Sequence, residues 1–231
     1  MVAPVQLSLG VQLQDTATFN NFYAGKNPPI VHYLPEMLEH QGFRFVYLWG
    51  KQDSGKSHLL QASCHLAQQL GLGHSYLAFT QNPEQQLDRI RQLDQELVCL
   101  DDLDRALGKP VLEEALFHAF NRLRDQGRML IITAPSSPAG LNLQLADLAS
   151  RLAWGLTYQL QTLDDQDKLA ALIMRAQQRG LQMPEEVARY LLTRSTRRLS
   201  GLFATLDQLD EASLKEQRKL TIPFVRQALK W

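Results

Sequence analysis

The sequence predicts an α/β fold, a doubly wound parallel sheet of five strands followed by a small all-helical subdomain. Three observations carry that reading. Short apolar runs at residues 43–49, 75–79, 97–100, 129–133 and 156–160 are too brief for helices and too continuous for strands with one wet face, which fits a parallel sheet covered on both sides. The stretches 56–70, 83–94 and 112–126 between them carry apolar residues at helical spacing. After Thr162 the strand signals cease, and 164–179, 184–193, 199–215 and 223–229 all read as helices.

Taken in order, the first 42 residues read as irregular. Pro28-Pro29 and Pro35 break them into short pieces and leave room for a helix only over 35–40. Regular α/β punctuation begins at Phe43. The expected organisation is a flexible tail over 1–15, a nucleotide-binding α/β domain over 16–163 and a helical lid over 164–231.

Composition narrows the function. The 231 residues hold 24 Lys+Arg and 24 Asp+Glu, so the balance shows no electrostatic footprint of a general nucleic-acid or membrane-surface binder. Residues 1–163 hold 12 basic and 15 acidic groups and residues 164–231 hold 12 and 9, so the neutral total joins a slightly acidic sheet domain to a slightly basic lid. The start MVAPVQLSLGVQLQD lacks a basic n-region and an apolar h-region, and no run approaches ~18 apolar residues. A soluble, cytoplasmic protein with no membrane partner is therefore expected. Cys64 and Cys99 sit in apolar settings and read as core thiols, not a disulfide or a zinc site. The six histidines have no acid or cysteine at metal-ligand spacing and receive no role.

The strongest motif is Gly50-Lys51-Gln52-Asp53-Ser54-Gly55-Lys56-Ser57, which fits G-x-x-x-x-G-K-[ST] and follows a predicted strand. Its glycines allow a tight turn whose N–H groups converge on phosphates at a helix N-terminus. Lys56 supplies a cation to the β and γ phosphates, and the Ser57 hydroxyl is a ligand for Mg²⁺. About 45 residues on, the run 97–102 ends a buried strand in Asp101-Asp102. Asp101 is placed to hold Mg²⁺ through its water shell and Asp102 to orient an attacking water. Together the two elements read as a nucleoside triphosphate site; the adenine base of an ATP or ADP ligand is what the resemblance below implies.

The order of these motifs, with a polar residue after the fourth strand and then Ser150-Arg151-Leu152-Ala153-Trp154-Gly155, resembles the AAA+ family in its bacterial initiator clade, which holds DnaA and the helicase loaders. The resemblance extends over essentially the whole chain and is nearest to the DnaA-related regulators of replication initiation. It implies that Phe19 and Phe22, in the early Thr18–Phe22 segment, wrap the adenine together with Gly25-Lys26-Asn27. It also implies that Arg151 is an arginine finger acting on the nucleotide of a neighbouring protomer; the plain alternative is a structural ion pair. Gln6-Leu7-Ser8-Leu9 resembles the peptide that docks in the pocket of the DNA sliding clamp, and an uncharged tip with two leucines suits that mode of binding. The chain stops after the lid, so direct sequence-specific DNA reading is not expected. The implied partners are the clamp, DnaA and further copies of the chain, with nucleoid association through them.

Two positions depart from the family pattern. No Asn or Asp follows the fourth strand, which leaves Thr133 or Ser136 to sense the γ-phosphate and implies weak intrinsic hydrolysis. In the lid an ungapped alignment on 206–209 puts Ser200 at the sensor arginine, leaving Arg197 or Arg198, half a turn away, for that role. The competing function is a helicase loader or an independent ATPase acting on single-stranded DNA, although no aromatic-rich basic groove is visible. A P-loop small-molecule kinase would leave Arg151 without a purpose.

Overall fold

The computed structural model describes residues 17–40, 42–80, 82–196 and 198–231. Its first unit is the sheet, with β1 Arg44–Trp49, β2 His74–Ala78, β3 Leu97–Asp101, β4 Met129–Ala134 and β5 Leu156–Gln159 in the order β2-β3-β4-β1-β5, all parallel. Each strand lies within a residue of its predicted run. β3 and β4 are buried along their whole length. β5 departs from the expectation of two covered faces. It is an edge strand, paired only with β1, and its residues are mostly exposed.

The helices of this unit are α1 Pro28–Glu39, α2 Lys56–Gln69, α3 Leu87–Arg91, α4 Pro110–Asp125 and α5 Ala146–Leu152. Pro28 and Pro29, read as breakers, instead start α1. The first turn needs no N–H from them, and proline's fixed φ suits it. Pro35 inside α1 gives up one backbone bond, while Ile30, Leu34, Met37 and Leu38 bury the inner face. The stretch 83–94 divides into a 3-10 turn, Pro83–Gln86, and the short α3. α5 had no periodic signal because only Leu148 and Leu152 of its seven residues face the core. Cys64 and Cys99 are buried free thiols, as expected. Burial pushes the Cys99 thiol up, so it packs as an uncharged group.

The second unit comprises α6 Asp165–Gln178, α7 Glu185–Arg194, α8 Leu199–Glu216 and α9 Ile222–Leu229, together with the segment Asn20–Asn27. Its core is built from Leu172, Val187, Leu191, Leu202, Leu206 and Phe224. Asp164 caps α6 by accepting the Asp167 N–H at 2.9 Å, a bond that holds its carboxyl below the usual range. Thr221 caps α9 in the same way through Phe224. The segment 20–27, assigned from sequence to the sheet domain, packs within this helical unit. The Asn27 side chain is buried and pairs with both backbone groups of Gln161 (3.0 and 2.8 Å), and Gln178 donates to the Asn20 carbonyl at 3.0 Å. No helix among the described residues is long and apolar enough to cross a membrane.

Candidate nucleotide site and arginine helix

The loop Gly50–Ser57 runs from the end of β1 into α2 at the carboxyl edge of the sheet, where open α/β sheets bind ligands. Gly50 donates to the Ala134 carbonyl at 3.3 Å, and Leu160 donates to the Trp49 carbonyl at 2.7 Å. A Cβ at position 50 would stand 2.6 Å from the Leu160 carbonyl oxygen, so only glycine lets the loop leave β1 here. Gly55 is left-handed (φ 92°) and aims the first N–H groups of α2 into the loop. Asp53 shares that region (φ 62°), an uncommon conformation for a side-chain-bearing residue.

Lys56 is buried. Its ammonium donates to the carbonyls of Gly50 (2.8 Å) and Lys51 (3.1 Å), tying the loop into a ring. Burial lowers its pKa, and Asp102, Asp101, Asp104 and Asp53 act in the opposite sense. The Ser54 hydroxyl is buried inside the loop without a hydrogen-bond partner among the described residues. An orphaned donor, converging N–H groups and a lysine make a donor set that fits a phosphate. Lys51, Gln52 and Ser57 are exposed, with Ser57 on the first turn of α2.

The acid pair lies two strands away. Asp101 ends β3 and is buried; its two oxygens accept from the hydroxyls of Tyr76 (2.7 Å) and Thr133. Thr133 also accepts the Asp102 N–H at 3.0 Å. The one proton of that hydroxyl goes to Asp101 and its residue has no exposed surface, so Thr133 holds the acid pair and has no second donor for a γ-phosphate. Ser136 is half-buried, and its carbonyl accepts from the Tyr47 hydroxyl at 2.9 Å. Asp102 is left-handed (φ 55°), half-exposed, and paired with Arg105 at 3.2 Å. Burial and the Asp101 charge raise its pKa, with Arg105 opposing.

Arg151 lies in the last turn of α5, half-exposed, its guanidinium 6.0 Å from the centroid of the Phe117 ring on α4. No ion pair to Arg151 occurs among the described residues. Trp154, just beyond α5, is 62% exposed and stacks on Phe43 (5.7 Å between centroids), while Gly155 lies against Phe45 where any Cβ would overlap that ring.

Phe19 opens a 3-10 turn and Phe22 follows it, both half-buried, and Arg198 precedes the first turn of α8. Gln6, Leu7, Ser8, Leu9 and Arg197 lie outside the described residues. Sequence reasoning missed several residues that shape the site. His58 and His65, two turns apart on α2, donate to the carbonyls of Thr18 (2.9 Å) and Ala17 (2.5 Å) and so fix the chain leading to Phe19. Their seven-residue spacing was a visible signal. Tyr76 and the buried Glu113 had none, because their partners are set by strand register and by a loop. Among the described residues no cluster of His, Cys, Asp and Glu has the make-up of a metal centre.

Fold and site together define a P-loop nucleotide-binding protein of the AAA+ type. Residues 13–159 match the family model of the bacterial DnaA ATPase domain, and the chain belongs to that family. Residues 165–229 match the model of the lid domain of Hda, in agreement with the resemblance to the regulatory members of the initiator clade. Among solved structures, domain III of the Thermotoga maritima replication initiation protein DnaA matches with TM-score 0.77 and 23% identity, over 95% of this chain and 98% of that one. AMPPCP-bound DnaA from Aquifex aeolicus matches with TM-score 0.71 and 24% identity, over 90% and 70%. A point variant of RuvB from Thermotoga maritima matches with TM-score 0.64 and 16% identity, over 95% and 73%. At these identities the likeness is one of fold, and it bears out the AAA+ sheet with a helical lid.

Proposed function

We propose that this protein restrains replication initiation in the manner of Hda: it binds ADP or ATP, attaches to the DNA sliding clamp, and stimulates ATP hydrolysis by DnaA in trans. The observation that carries the reading is Arg151, which reaches the surface of the sheet unit over the Phe117 ring with no carboxylate neutralising it among the described residues. An arginine presented this way has its full charge for a partner's phosphates. Such a finger is worth about 10³ to 10⁵ in rate when it meets developing phosphate charge.

The rest of the chain serves that arginine. Gly50 to Ser57 hold the phosphates of the protein's own nucleotide, and Phe19, Phe22 and Arg197 or Arg198 are the further residues assigned to nucleotide binding. Ser57 would hold Mg²⁺ directly and Asp101 through the ion's water shell, the ion neutralising phosphate charge when bound; Asp102 would orient water. The Ser54 hydroxyl without a partner supports phosphate in the loop. Residues 1–15 form the tail whose Gln6, Leu7, Ser8 and Leu9 dock on the clamp, 16–163 the nucleotide-binding domain and 164–231 the lid, and copies of the chain can associate with one another. The protein works in the cytoplasm and reaches DNA through its partners.

The test is hydrolysis of DnaA-bound ATP in the presence of clamp loaded on DNA. Wild-type protein accelerates it, and Arg151→Ala removes the acceleration. Stimulation by Arg151→Ala equal to wild type refutes the finger. Clamp pull-down unchanged by Gln6→Ala with Leu7→Ala refutes the tail. An independent ATPase would instead show intrinsic turnover that collapses on Asp102→Asn and assembly on single-stranded DNA.

A further inference from the structure

Glu113 is an acid on α4 with no exposed surface, and its carboxylate gathers backbone donors. Oε1 accepts the Gly108 N–H at 2.9 Å, and Oε2 accepts the N–H groups of Gln144 (2.9 Å) and Leu145 (2.8 Å). Leu145 is the N-cap of α5 and supplies no side-chain cap, and Glu113 accepts its N–H from a neighbouring helix, the part that a Glu at N3 plays in a capping box. A carboxylate at a helix N-terminus also faces the favourable end of the backbone dipoles. Gly108 lies in the loop that follows the acid pair and its 3-10 turn, Leu103–Ala106, so one buried group joins that loop to α5.

Phe117 lies one turn along α4 from Glu113 and therefore on the same face. That face meets α5 at both ends: Glu113 fixes residues 144 and 145 at its start, and Phe117 lies under Arg151 in its last turn. Between these points Leu148 and Leu152 sink into the core. A seven-residue helix has too few internal bonds to hold its own direction. Its orientation is set from outside.

We infer that Glu113 and Phe117 are positioning residues for Arg151, a two-point rail on α4 that sets where the arginine is delivered. The inference rests on the proposed trans role of Arg151. Its consequence is specific: loosening the rail lowers the rate at which a docked partner's ATP is hydrolysed and leaves docking itself unchanged.

Full-length Glu113→Gln and Phe117→Leu are compared with wild type and Arg151→Ala, using DnaA loaded with radiolabelled ATP and clamp on DNA. Gln presents an amide donor where backbone donors converge, and Leu removes the ring while keeping apolar volume. The expected result for each is a maximal stimulated rate at least tenfold below wild type, with the half-saturating concentration within twofold. Phe117→Tyr, which keeps the ring, restores the rate. Amide hydrogen exchange of Glu113→Gln accelerates at residues 144–152 and stays as wild type in β1, β3 and β4.

A folded Glu113→Gln with faster exchange at 144–152 and wild-type stimulation overturns the inference, and so does a Phe117→Leu protein that stimulates fully. If Glu113→Gln does not fold, the Phe117 pair decides alone. The outcome in which Arg151→Ala itself stimulates as wild type sinks the trans reading, and is told apart from the others by that variant.

Discussion

The Tyr76 hydroxyl, on β2, donates to the Asp101 carboxylate at the end of β3 across 2.7 Å. Asp101 is buried, so its charge is tolerated only because donors replace the water it lost. Thr133 supplies the second from the opposite neighbouring strand. The acid is therefore gripped from both sides by the strands that flank β3. Burial and the adjoining Asp101 charge raise the Tyr76 pKa, so the hydroxyl stays a donor through the physiological range.

Tyr76→Phe removes one of these donors and keeps the ring. A hydrogen bond to a charged group is worth about 1.5–3 kcal/mol, and the variant is expected to lose stability of that order. Urea unfolding checks it: the midpoint falls while the slope is unchanged. A midpoint equal to wild type would mean that Asp101 does not depend on this bond.

Gly50→Ala tests the exit of the loop from β1. The added methyl would sit 2.6 Å from a backbone oxygen that cannot swing aside, so β5 or the loop must move. Overpacking of this kind costs about 1–3 kcal/mol, and here it also displaces the N–H groups that converge in the loop. The expected outcome is lower thermal stability together with loss of ADP and ATP binding in a fluorescent-nucleotide titration. Wild-type affinity would show that the loop tolerates the shift and that the close approach is not required.

The strands, P-loop and acid pair were legible because each is specified by residues adjacent in sequence: an apolar run, a glycine spacing, two acids after a strand. What was not legible depends on long-range geometry. α5 lacks a periodic stripe because two leucines suffice to seat seven residues. Thr133 reads as a free polar residue near the end of β4 until register brings it opposite β3, where its hydroxyl donates to Asp101 and accepts the Asp102 amide. Pro28 and Pro29 break a helix interior but begin one equally well, and local sequence does not distinguish the two uses. Segment 20–27 joined the helical unit through Asn27, whose partner Gln161 is 134 residues away.

Asp102→Asn carries a pH signature. The folded protein raises the Asp102 pKa, through burial first and the Asp101 charge second, so the folded state takes up its proton at a higher pH than the unfolded chain does. Between the ordinary carboxylate pKa and the raised value the folded state binds more protons, and stability falls as pH rises through that window. Above it the full cost of the charge is present. Asn carries no such charge, so the variant is expected to match or exceed wild-type stability at neutral pH and to lack this acid-side gain. Thermal midpoints of both proteins measured from pH 4 to 8 check it, and parallel curves would refute the assignment.

Asn27→Asp and Asn27→Ala separate what the buried amide does in the helical unit. Asn27 both donates to the Gln161 carbonyl and accepts the Gln161 N–H, so it closes a two-bond ring that ties segment 20–27 to the chain entering α6. Alanine loses both bonds, a cost of about 1–3 kcal/mol. A carboxylate keeps the acceptor but sets a second oxygen against the Gln161 carbonyl, so at neutral pH Asp is expected to be no better than Ala. Protonation restores a donor. The new acid is then protonated more readily in the folded state than in the unfolded chain, and Asn27→Asp regains stability as pH falls toward about 4, where a free aspartate begins to take up its proton. Asn27→Ala has no titrating group and follows the wild-type slope. Thermal unfolding of the three proteins at pH 7 and pH 4.5 decides the matter: convergence of Asp on wild type at the lower pH, with Ala left behind, is the expected pattern, and an Asp variant that tracks Ala at both would show that the donated bond contributes nothing.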